Sequence, residues 1–121
     1  MSLATREGIL GCKDADTSEI AIDCWGTLRI RSLTAMERLM LARDYAKENL
    51  TPELATEFYC KLIVLAVVDE AGDQVFVGED LDGLQAKNWR MLEQAAQEIL
   101  RFNGLTADAV EDREKNSVSD R

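Results

Sequence analysis

Residues 18–31 carry two short alternating segments on either side of a Trp25-Gly26 turn, and no other stretch of the chain narrows the fold so far. In the first, Ile20, Ile22 and Cys24 share one face while Glu19, Ala21 and Asp23 take the other; in the second, Leu28 and Ile30 alternate with Thr27, Arg29 and Arg31. A period of two is the mark of a half-buried strand. Matching apolar to apolar sets Ile22 opposite Leu28 and Ile20 opposite Ile30, because a one-residue slip would bring Ile22 against Arg29. That register places Glu19 across from Arg31 and leaves Cys24-Trp25-Gly26 as the loop, with glycine where a bulged turn needs a left-handed residue. The expectation is a β-hairpin over about 18–31.

The rest of the chain reads as helix. Thr34-Ala35-Met36-Glu37 has the capping-box form, and Ala35, Leu39, Ala42 and Ala46 recur at helical spacing with Met36 and Met40 beside them, which predicts a helix over about 34–48. Thr51-Pro52-Glu53 restarts one, with a cap, a proline at the first helical position and an acid in the first turn. Leu54, Phe58, Leu62 and Leu65 line its inner face. The run Leu62 to Val68 is β-branched enough for a buried strand, but no breaker follows Pro52, so the reading is one central helix over about 52–68.

Asp69 to Asp73 is turn chemistry, and Gln74 to Val77 is a short extended piece that either adds to the hairpin's edge or stands alone. Glu79 to Ala86 is a weak helix interrupted by Gly83. A stronger one covers about 88–103, with Leu92, Ala95, Ala96, Ile99 and Phe102 in one stripe and Gly104-Leu105 as a left-handed stop. At the start, residues 4–10 form a helical turn ending at Gly11, and Thr106 caps a last short helix. The fold class is α+β, mainly α: a small helical domain with an N-terminal β-hairpin. Residues 1–115 form one domain, a size that supports a single modest core, and 116–121 a disordered tail.

Charge sorts the partners. The formal net charge is −9, from 23 acids against 14 bases. Nucleic-acid phosphates and anionic lipid bind through clustered Lys and Arg, so neither is expected, and protein partners are. The longest apolar run, Leu62 to Val68, is too short to span a bilayer, and no export signal opens the chain. Cys12, Cys24 and Cys60 cannot all pair and form no CxxC, which fits a reducing cytosol with each thiol a small buried hydrophobe.

There is no histidine, which removes the commonest general base, the usual zinc ligand and every Ser-His or Cys-His pair. Neither GxGxxG, GxxxxGK[ST] nor HExxH occurs. The acid-rich stretch Asp69, Glu70, Asp73, Glu79, Asp80 and Asp82 fails as a calcium loop, since Ala71 and Gln74 stand where a ligand and a glycine are needed. Catalytic residues, cofactor and metal are therefore expected to be none. Trp25 and Trp89 are the candidate partner-binding residues, because aromatics anchor interfaces; partial burial in the core is the competing role.

The succession of segments resembles the tail assembly chaperones of lambda-like long-tailed bacteriophages and related prophages. The pieces that carry the likeness are ATREGIL, the EIAIDCWGTLRIRSLT hairpin running into LTAMER, VVDEAGDQVF, Lys87, RFNGL at 101–105 and EKNS at 114–117, in that order. The chain departs from the family in a hairpin loop one glycine shorter than Trp-Gly-Gly, in Asp23-Cys24 where Pro-Glu is common, and in Ala35 where glycine is common. The resemblance implies a non-enzymatic protein of the host cytoplasm that coats the tape measure protein and is absent from the mature virion. It also implies a longer, frameshifted product that recruits tail tube subunits and, for a protein that coats a rod, a homo-oligomer. A structural virion component, such as a head-tail connector or tail tube protein, is the alternative.

Overall fold

The computed structural model describes residues 2–105. The last short helix expected after Thr106, the end of the domain at 115 and the tail at 116–121 lie outside the described residues. What is described is α+β and mainly helical: a three-stranded antiparallel sheet in the order β1-β2-β3 with helices around it. A short α1 (Arg6–Leu10), started by the Thr5 hydroxyl, precedes β1 (Thr17–Ile22) and β2 (Gly26–Arg31). α2 (Ala35–Asp44), α3 (Pro52–Ala66), β3 (Val67–Val68), α4 (Leu81–Gln85) and α5 (Trp89–Phe102) follow.

The hairpin is present, but its register is offset by two residues from the sequence expectation. Ile22 pairs with Gly26 and Ile20 with Leu28, while Ile30 lies opposite Ser18. A two-residue slip leaves every side chain on its own face, so apolar matching excludes odd slips and is blind to even ones. Glu19 accordingly meets Arg29 at 3.9 Å rather than Arg31. The loop is Asp23-Cys24-Trp25, closed by the Trp25 N–H donating to the Ile22 carbonyl at 3.2 Å.

Cys24 takes φ 75° in this turn, and Gly26 takes φ 98° at the first position of β2. Only Gly26 is suited to that half of the map: the Cβ of an L-residue held left-handed costs about 1–2 kcal/mol. Cys24→Gly is therefore expected to stabilise the protein by about 0.5–1 kcal/mol, the relief exceeding the extra backbone entropy of glycine. Urea unfolding followed by far-UV circular dichroism reads the gain.

α2 begins at the expected capping box, Thr34 Oγ1 accepting from the Glu37 amide and the Glu37 carboxylate from the Thr34 amide. It ends at Asp44, short of the expected 48, where Tyr45 leaves the helical region at φ −127°, ψ 47°. Lys47–Asn49 form a separate 3-10 turn. α3 starts at Pro52 under the Thr51 cap as expected and stops at Ala66. Its last two expected residues are instead β3: Val67 pairs with Ile30 and Val68 with Arg29. Two β-branched residues reaching the open side of β2 gain ladder bonds and full burial, which a further half turn of helix would forgo.

Gln74 bridges to Val68, and Val75 N–H donates to the Val67 carbonyl at 3.3 Å, so this piece lies against β3 and not on the hairpin's edge. The Gln74 amide donates to the Val64 carbonyl at 2.8 Å, satisfying one of the orphan acceptors at the end of α3. The weak helix expected at 79–86 is a 3-10 turn, Gly78–Asp80, leading into α4. α5 carries its expected stripe, with Leu92, Ala95, Ala96 and Ile99 buried. It ends in a Schellman motif: Gly104 has φ 69°, its N–H donates to the Arg101 carbonyl and that of Leu105 to the Leu100 carbonyl at 2.8 Å.

The core lies between the inner face of the sheet, α3 and α5. Ile30, Cys60, Leu62, Ile63, Ala66, Ala95, Ala96 and Ile99 are fully buried, and α3 is enclosed on most sides as its composition predicts. Asn103 fastens two distant parts: its Oδ1 accepts from the Leu33 N–H at 2.8 Å and its Nδ2 donates to the Ile99 carbonyl at 2.9 Å. Among the described residues no helix is long and apolar enough to cross a membrane.

Candidate partner-binding surface

α2 faces the body through positions 37, 41 and 45. Leu41 is its one buried residue, flanked a turn away on the same side by Glu37 and Tyr45. Ala35, Leu39 and Ala42, whose spacing marked the helix in the sequence, are exposed. The helical positions 37, 41 and 45 compete with 35, 39, 42 and 46, and the first set wins because it brings a leucine, an aromatic ring and an ion pair to the body where the second brings mostly methyl groups.

The consequence is an outward apolar stripe of Met36, Leu39 and Met40, which are 62%, 59% and 42% exposed. They sit at i, i+3 and i+4, one face of a helix, and two are methionines, whose flexible thioether chains adapt to varied partner surfaces. The sequence signal that identifies this face was available in the competing set: Glu37 is drawn inward by its own capping box and by Arg31.

That ion pair anchors α2. The two Arg31 guanidinium nitrogens reach the two Glu37 oxygens at 2.9 and 2.8 Å, a bidentate geometry with both side chains mostly covered. Its hydrogen bonds from Arg31 hold the Glu37 carboxyl below the ordinary 4.5, against the opposing effect of burial. Beside it, burial and then the charge of Glu57 push the Tyr45 hydroxyl up to about 12. A cleft of about 160 Å³ lies where α2 meets α3 and the end of α5, lined by Leu41, Tyr45, Phe58, Leu100 and Leu105.

The two tryptophans occupy different surfaces. Trp25 is half-buried at the hairpin tip and, with Leu28, Phe76, Leu84 and Lys87, lines a shallow apolar groove of about 300 Å³. Trp89, the first residue of α5, is 48% exposed and packs its ring 5.4 Å from that of Tyr59. It ends an aromatic row through Tyr59, Phe58 and Tyr45, with the Lys61 ammonium 5.7 Å from the last ring. No ring pair among the described residues brings the two indoles together.

Two acids of the 69–82 stretch are used locally. Asp69 accepts from the amides of Ala71 and Asp73 at 2.9 and 3.0 Å, and Asp80 from that of Val77 at 2.8 Å. Among the described residues no three His, Cys, Asp or Glu side chains converge as metal ligands. Cys60 is buried and its thiol pushed up by desolvation, as expected of a small core hydrophobe, whereas Cys12 and Cys24 are exposed, contrary to that reading. Cys12 sits just past α1, none of whose residues is buried, and Cys24 at the hairpin tip, so neither has a core to enter. No family model, curated protein or solved structure matches the chain.

Proposed function

We propose that this chain is a non-enzymatic tail assembly chaperone of a long-tailed phage or prophage, which binds the tape measure protein in the host cytoplasm and leaves before the virion matures. A longer product sharing this domain would recruit tail tube protein. The observation that carries the reading is the uncovered Met36, Leu39 and Met40 stripe: a helical face with apolar side chains at i, i+3 and i+4 is suited to lie against a partner helix. The net charge of −9 supports it, since like charge along a coated rod keeps the complex dispersed.

Co-expression with the tape measure protein of the same phage is expected to raise that protein's soluble fraction. The double variant Met36→Glu, Leu39→Glu is expected to abolish the gain while leaving urea stability within about 0.5 kcal/mol, as these side chains already face water. An unchanged soluble fraction with the parent chain refutes the proposal. Stoichiometric presence of the chain in purified particles, read by mass spectrometry, would assign it instead to the virion structure.

A further inference from the structure

β1 is an outer strand, with β2 as its single strand partner among the described residues. The phase of its ladder follows from one bond: Ser32 N–H donates to the Asp16 carbonyl directly opposite at 2.8 Å. In an antiparallel pair, residues alternate between turning both backbone groups inward and both outward. Residues 16, 18, 20 and 22 therefore face β2, and Thr17, Glu19 and Ala21 point their N–H and C=O groups away from the sheet. All three are exposed. The strand has an unbroken register of six pairs, with neither a proline nor a bulge, so the devices that commonly spoil an edge are missing.

The one protection present is charge, and it has a sign. Asp14, Asp16, Glu19 and Asp23 lie along this edge and its two ends, with Lys13 the single base of that stretch and Arg29 3.9 Å from Glu19 across the sheet. A second copy arriving edge to edge would bring the same acids against these. A segment with Lys or Arg on the side of Glu19 would find them complementary. The other side of the strand sets the alternate positions: Ile20 is half-buried beside the core, so the incoming residue next to it gains by being apolar.

We infer that β1 is a docking edge for an extended, basic segment of a partner protein, alternating basic and apolar residues, which adds to the sheet as a further strand. This stands on the hairpin alone and is independent of the tape measure reading. Copies of this chain are excluded from the edge, and any self-association runs through another surface.

The test uses the whole protein and a nine-residue peptide alternating lysine with valine, with a glutamate-for-lysine peptide as control. Amide hydrogen exchange by NMR is expected to slow at Thr17, Glu19 and Ala21 on adding the lysine peptide, the protection fading as salt rises. Ala21→Pro removes an outward N–H without breaking a ladder bond and is expected to weaken peptide affinity roughly fivefold or more, the worth of one net backbone hydrogen bond. Glu19→Lys, which leaves the backbone untouched, is expected to weaken it as well. Equal protection by the glutamate peptide, protection by protein concentration alone, or none with either peptide overturns the inference.

Discussion

Ile30→Ala is expected to cost about 3–4 kcal/mol, enough to leave a domain of this size near the edge of unfolding at room temperature. Ile30 is fully buried and sits in the middle strand, between Ser18 on β1 and Val67 on β3. Truncation removes apolar area and opens a cavity that neither neighbour can close, because both are held in register by backbone bonds. Alanine also favours a strand less than a β-branched residue does. Urea titration at 25 °C measures the loss, and Leu3→Ala, a residue 93% exposed, is the control expected to shift stability by less than about 0.5 kcal/mol.

Glu37→Ala is expected to cost about 2–3 kcal/mol, the second largest effect of a single surface-side change. Two losses combine: the reciprocal cap of α2, typically about 1 kcal/mol, and the stranding of a mostly covered Arg31 guanidinium, about 1–2 kcal/mol. The same carboxylate gives a pH signature. Its pKa in the folded protein lies below the ordinary value, so its contribution is fully present above that ordinary value and disappears as pH falls through the folded one. The stability gap between the parent and Glu37→Gln is therefore expected to be widest at neutral pH and to narrow in acid below the ordinary carboxylate value of 4.5. Urea titrations repeated at descending pH provide the check. A gap that stays constant into acid would show that the charge on Glu37 is not what holds α2.

The elements that the sequence announced are those written in neighbouring residues. Thr34 with Glu37, Thr51 with Pro52, the α5 stripe and the Gly104 stop each need only a few consecutive positions to be recognised, and each stands where it was expected. What was not legible depends on partners far along the chain. The hairpin register required a choice between two alignments that put identical faces inward. The conversion of Val67 and Val68 from helix to strand required knowing that the second edge of β2 was vacant for them. The exposure of Met36, Leu39 and Met40 had its signal nearby, in the pull of Arg31 on Glu37, but reading it required placing the end of β2 against the start of α2. Of the candidate residues, Trp25 and Trp89 stand on separate surfaces. Both are partly packed, one in a groove and one in an aromatic row, and the more exposed apolar face lies on α2.

Asn103 has a further consequence. Its side chain answers the Leu33 amide, seventy positions earlier, while its own backbone caps the C-terminus of α5. The stretch between those points contains α2, α3, α4 and α5, so one carboxamide acts as the clasp on a loop that embraces most of the described fold. The clasp can therefore close only after every residue from 34 to 102 has been made.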